Sequence, residues 1–208
     1  SMKNTLLIGD YVFVSKYSYG YGKYSFPLGL DLFDGRIGRA ARPARGDVVV
    51  FRLPASPKID FIKRVIGLPG DTIQVRGGLL YINNLPVSLK QESEFTDRLE
   101  DGSIAAIRRY TETLPNGKTH SILDAVHGGE KDDTLVYTVP DKHYFMMGDN
   151  RDNSMDSRYS EEVGTIPEEN LIGRAEVIFF SVDDRTSIWK LWDWPWALRA
   201  GRFFKHIQ

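Results

Sequence analysis

Ile59-Asp60-Phe61-Ile62-Lys63-Arg64-Val65-Ile66-Gly67-Leu68-Pro69-Gly70-Asp71 is the stretch on which the fold turns. Its first eight residues are mostly β-branched or aromatic, and Gly67 to Asp71 is turn chemistry, so a strand running into a tight turn is expected. Side chains alternate along a strand, which places Lys63 on one face with Ile59, Phe61 and Val65. An ammonium among apolar neighbours is desolvated, its charged form is disfavoured, and it can then accept a proton at working pH. The plainer reading is a lysine whose head reaches water or pairs with Asp60, and from this segment alone that is the commoner state.

Outward from that strand, β character recurs. Tyr11-Val12-Phe13-Val14-Ser15-Lys16 follows a Gly-Asp turn. Arg45-Gly46-Asp47-Val48-Val49-Val50-Phe51-Arg52 shows the weak alternation of a strand covered on both faces. Residues 72–76 and 79–82 form a hairpin on Gly77-Gly78, and residues 171–181 make a last long strand. Between residues 90 and 133 the sequence turns polar, with short strands expected at 104–110 and 135–139. The fold expected is mainly β: a coiled antiparallel, barrel-like core from residues 1–73 and 139–208, with a smaller β-rich lobe, 74–138, inserted into it.

Composition sets bounds. The 208 residues carry 12% aromatic and 26% charged side chains, ordinary for a globular protein of one or two domains. A net charge of -1 gives no argument for nucleic acid, and none is expected as a partner. No cysteine is present, which excludes disulfides and thiolate metal sites. No apolar run is long enough to span a bilayer, and no signal-peptide pattern opens the sequence. Two stretches suit a boundary between water and lipid. Tyrosines and arginines interleave over 17–44, and all four tryptophans, with cations after them, fall in 188–208. Packing on the protein's own surface serves both stretches as well.

Tyr144-Phe145-Met146-Met147 runs into Gly148-Asp149-Asn150-Arg151-Asp152-Asn153-Ser154-Met155-Asp156-Ser157-Arg158-Tyr159. Short polar side chains this dense build ordered loops. The acids miss the spacing of an EF-hand. A structural loop and an active-site loop, with a hydroxyl and an Asp156–Arg158 pair bracing a catalytic group, both remain open.

Four stretches in this order resemble the bacterial type I signal peptidases, membrane-anchored serine proteases with a Ser/Lys dyad. They are residues 1–10, 45–51, 61–71 and 147–158. The resemblance covers most of the chain and leaves 74–138 and the tail poorly matched. It implies Ser1, before Met2, as nucleophile, Lys63 as general base, and Ser154 as the hydroxyl that orients that lysine. Asp156 and Arg158 match positions that brace the site. Met2, Leu6, Val50, Phe61 and Ile62 match residues lining shallow pockets for small side chains. The implied activity is removal of signal peptides from exported preproteins after Ala-x-Ala, at the outer face of the bacterial cytoplasmic membrane. No metal or cofactor is expected, and no histidine is required.

The departures are at the start. The family motif carries a further serine two places before the nucleophile, and a transmembrane segment, neither within residues 1–208. A serine before a methionine also reads simply as an appended residue and a start codon. Loss of one oxyanion donor costs about a hundred- to a thousandfold in rate, so residues 1–208 alone are expected to be nearly inactive. Two other classes stay open: a membrane-surface β-domain that binds without cutting, and a Ser/Lys protease acting on a soluble partner or on itself. Full activity of the longer protein after Lys63→Ala favours the first, and liposome binding unchanged by deletion of 188–208 favours the second.

Overall fold

The computed structural model describes residues 1–19, 41–98, 103–124, 128–181 and 199–207. Within them the strands in chain order are β1 (Asp10–Ser15), β2 (Val48–Leu53), β3 (Ser56–Gly67), β4 (Thr72–Arg76), β5 (Leu79–Ile82), β6 (Leu85–Pro86), β7 (Ser88–Gln91) and β8 (Phe95–Arg98). They continue with β9 (Ile104–Ile107), β10 (Arg109–Thr113), β11 (Thr119–Leu123), β12 (Tyr137–Thr138), β13 (His143–Met147), β14 (Ile166–Pro167), β15 (Leu171–Ser181) and β16 (Lys205–His206). The fold is mainly β, and every ladder between these strands is antiparallel.

The principal sheet has seven strands, ordered β1-β15-β2-β3-β13-β14 with β16 added beside β15. It is an open path and does not close into a barrel: β1 and the two-residue β14 remain its edges among the described residues. Strands β4 to β12 fall in sequence between two neighbours in this sheet, β3 and β13, and form three small sheets of their own. The 104–110 segment, expected as one strand, divides into β9 and β10, which pair with different partners.

Burial is graded along β3. Its first half is largely exposed, whereas Lys63 to Gly67 are all buried, so Lys63 stands where the strand enters the core. Val48, Val49 and Val50 lie opposite Arg64, Lys63 and Ile62. Gly67 is required by close approach, because a Cβ there would come within 2.8 Å of Phe145 Cβ on β13. One hydrophobic cluster gathers Val49, Phe51, Val65, Tyr144 and Met146. A second joins Phe145 and Met147 of the principal sheet to Ile73, Leu80 and Leu114 beyond it. At about 25 cal/mol per Å² of apolar surface removed from water, such clusters supply the main stabilisation of the sheet.

Residues 20–40 and 182–198 lie outside the described residues, so the arginine-rich excursion and the tryptophan stretch do too. Of that aromatic run, Tyr19 is 2% exposed and its hydroxyl donates to Asp47 Oδ2 at 3.0 Å, which makes it core. Among the described residues no helix is long and apolar enough to cross a membrane.

Candidate active site

Three chain segments converge where β3 passes the end of β13. Lys63 is 4% exposed, and its Nζ stands 5.0 Å from the centre of the Phe61 ring. Burial pushes the Lys63 pKa down to about 8, with Arg158 adding to that and Asp156 and Asp149 opposing it. Among the described residues no carboxylate pairs with it within 4 Å. The alternation expected from the sequence holds: Phe61, Lys63 and Val65 share a side, and Arg64 turns the other way, toward Asp149.

Beyond Met147 the backbone leaves β13 at Gly148, where the first residue of the chain and the loop that carries Ser154 meet. A Cβ at Gly148 would lie 2.2 Å from Ser154 Oγ and 2.7 Å from the Ser1 carbonyl oxygen. Any larger residue would push these two segments apart. The Asn150 amide donates to the Ser1 carbonyl at 2.8 Å, which fixes the exposed first residue on this loop. The Ser1 α-amine is held below its ordinary pKa, first by burial and then by the charges of Lys63 and Lys3. Ser154 is 4% exposed, and its Oγ is buried without an aligned hydrogen bond, although it sits near enough to the Asp156 carboxylate to help lower that group's pKa.

Paired charges hold the loop. Arg158 donates from Nε to Asp156 Oδ1 at 2.8 Å and from Nη2 to Asp156 Oδ2 at 2.9 Å, and the Gly148 amide donates to Asp156 Oδ2 at 3.0 Å. Burial alone would raise the Asp156 pKa, but Arg158 overrides it and holds the carboxylate below the usual range. Asp149 receives a fork from Arg64, Nε to Oδ1 at 2.8 Å and Nη2 to Oδ2 at 2.7 Å. The Thr5 hydroxyl also donates to Asp149, tying the first residues of the chain to the same carboxylate. Forked guanidinium–carboxylate pairs fix direction as well as charge.

This arrangement presents a buried amine of low proton affinity on β3, next to the residue that pairs with Met147, and two serine-bearing segments that meet over Gly148. A sequence model of the family described as signal peptidase, peptidase S26, matches residues 1–180. The chain belongs to that family. It is 39% identical over 224 residues to a signal peptidase I of Rickettsia typhi, covering 100% of this chain and 82% of the relative. A signal peptidase I of Rickettsia canadensis is 40% identical with the same coverage. Among solved structures, a signal peptidase I from Enterococcus faecalis V583 is 29% identical, covering 64% of this chain and 97% of the other, at a TM-score of 0.38. The chain is accordingly a peptidase, and preproteins that bear signal peptides are the substrate class its family implies.

Except for Val50, the residues matched to substrate pockets divide between two hydrophobic clusters. Met2 is 3% exposed and packs with Val48 and Ala175, and Leu6 and Ile62 lean on the same cluster. Phe61 packs on the neighbouring cluster, and Val50 is half-buried opposite Ile62. Two open clefts lie elsewhere, both lined by Thr119, His120, His206 and Ile207, and neither includes Lys63 or Ser154. Sequence reasoning passed over Arg64, Gly148, Asp149, Asn150 and Arg151 as individual contributors, although all fall inside the quoted motifs. Thr5 likewise lies within the quoted residues 1–10, whereas Glu112 and His120 gave no signal at all. Asp124, Asp132 and Asp152 bring carboxylate oxygens within 4.8 Å of one another, and burial with the other two acids raises the Asp124 pKa. Such a cluster does not by itself specify a cation.

Proposed function

We propose that the peptidase removes signal peptides by a Ser/Lys dyad, with Ser1 as nucleophile, Lys63 as general base and Ser154 as the hydroxyl that orients Lys63. The observation that carries this reading is Lys63 itself, 4% exposed with a pKa near 8, since a lysine of ordinary pKa is almost wholly protonated at neutral pH. Neutral Lys63 takes the proton of the Ser1 hydroxyl as Oγ bonds to the scissile carbonyl carbon. The resulting ammonium gives that proton to the leaving amine as the C–N bond breaks. Water, deprotonated by the same amine, then attacks the ester carbonyl and releases Ser1. Asp156 and Arg158 act as braces. Met2, Leu6, Val50, Phe61 and Ile62 border the acyl side of the substrate, and their bulk leaves room for small residues in the Ala-x-Ala pattern.

The reaction is placed at the outer face of the cytoplasmic membrane. Support comes from apolar surface at one edge of the principal sheet. Phe13, Phe179 and Phe204 are 59%, 61% and 69% exposed, and the rings of Phe179 and Phe204 stack edge to face at 6.1 Å. Exposed aromatics in such a group suit the bilayer interface. Cleavage of a purified preprotein in detergent by the longer protein, with the upstream serine that the family motif carries, read by mass spectrometry, tests the dyad. Lys63→Ala is expected to lower kcat by at least a thousandfold without unfolding the protein. A variant that cuts within tenfold of the parent rate would sink the mechanism.

A further inference from the structure

The β10–β11 hairpin lies outside the principal sheet, yet it sends two charged-type side chains into the buried loop that carries Ser154. Glu112 and His120 are cross-strand partners, 1% and 6% exposed, on the hairpin face that also buries Leu114 and Ile122. An acid and an imidazole in an otherwise apolar face are expensive to bury, so their partners matter. Arg151, two residues from Asn153 and three from Ser154, donates from Nη1 to Glu112 Oε2 at 2.9 Å and from Nη2 to Glu112 Oε1 at 2.7 Å. The Arg151 carbonyl in turn accepts from Arg158 Nη2 at 2.6 Å, and Arg158 holds Asp156, which holds Gly148. His120 Nε2 lies 3.3 Å from Glu112 Oε1 and 4.0 Å from Asp149 Oδ1, wedged between them without an aligned hydrogen bond at either ring nitrogen. The Leu123 amide at the end of β11 donates to the Asp149 carbonyl at 2.8 Å, and the next residue, Asn150, holds Ser1.

The geometry points to Glu112, wedged by His120, as a positioning residue for the reaction: it anchors Arg151 and so fixes the loop on which Ser154 and Ser1 meet. This rests on the Ser/Lys reading above. Arg151 is 7% exposed, and after Glu112 its next attracting carboxylates are Asp149 and Asp156. Without the Glu112 charge, Arg151 would swing toward the two acids that Arg64 and Arg158 already occupy, and the shift would be felt at Gly148. His120 fills the space between Glu112 and Asp149 and keeps the two carboxylates on their separate arginines.

The test measures kcat and KM of the longer protein, with the upstream serine that the family motif carries, on a preprotein in detergent, with near-UV circular dichroism to confirm folding. Glu112→Gln is expected to lower kcat at least tenfold with KM changed less than threefold. Ser154→Ala is expected to lower kcat as well, and the double variant to be no more than twofold worse than the poorer single one, because both act through one loop. A Glu112→Gln protein within twofold of the parent kcat overturns the inference alone, as do losses that multiply in the double variant, whereas a Ser154→Ala protein of parental kcat overturns the orienting role of Ser154 in the reading above and the inference with it. If Glu112→Gln does not fold, Glu112→Asp, which keeps the charge on a shorter arm, and His120→Gln carry the same comparison. Cleavage by Lys63→Ala at the parental rate overturns the Ser/Lys reading itself, and the inference with it.

Discussion

At the scale of the residue, Lys63 carries the proposed chemistry, and its titration gives two expectations. With a pKa near 8, about a tenth of the molecules hold it neutral at pH 7, so kcat/KM should climb with pH and level off above about 8 to 9. A profile flat from pH 6 to 10 would exclude Lys63 as base. The same depression bears on stability. The unfolded chain keeps its proton to about 10.5 while the folded one releases it near 8, so the unfolded state binds more protons in that window and stability rises with pH across it. Below pH 8 the buried ammonium costs about 3 kcal/mol. Lys63→Met, of similar length and uncharged, should therefore unfold at higher urea than the parent at pH 7 and lose the parent's rise in stability between pH 8 and 10. A less stable Lys63→Met protein would show that the amine is not desolvated.

At the scale of the element, the loop after β13 does what no single strand could. Its backbone turns so tightly at Gly148 that a methyl group there would strike Ser154 Oγ, Ser154 Cβ and the Ser1 carbonyl, all within 2.7 Å. Gly148→Ala should cost about 1–3 kcal/mol of stability by overpacking. It should also lower kcat at least tenfold by parting Ser1 from Ser154, and a kinetic assay with a thermal melt reads both. Retention of parental kcat would mean that the meeting of the two segments is incidental. The strands themselves were largely legible. Tyr11–Lys16, the hairpin about Gly77-Gly78 and 171–181 all emerged within a residue or two of the observed limits, because β-branched runs and turn glycines act locally. The β11 strand, Thr119–Leu123, escaped notice because it lies in a polar tract whose pairing partner, β10, supplies the face it buries. The 104–110 segment divided for the same reason: its two halves pair with different strands.

At the scale of the whole molecule, burial is balanced by distant pairing. Asp10, Glu112, Asp149 and Asp156 would each be raised in pKa by burial, but Arg202, Arg151, Arg64 and Arg158 hold them below the usual carboxylate range. Such groups stabilise the fold above the ordinary carboxylate values near 4, and that contribution drains away as pH falls below them. Urea midpoints should be nearly constant from pH 5 to 7 and drop steeply below about pH 4. A midpoint unchanged at pH 3 would mean that these pairs contribute little. The sequence alone determined the β class, most strand positions and the face on which Lys63 stands, since alternation and turn chemistry are properties of neighbouring residues, whereas Ser1 and Ser154 came to attention only through the resemblance of short motifs to a known family. It could not decide whether Lys63 is wet or dry, that Ser1 and Ser154 meet over Gly148, or that Glu112 reaches Arg151 from a hairpin 39 positions away in the chain. Those depend on which surfaces exclude water and which charges are brought face to face, and only the packed sheet settles that.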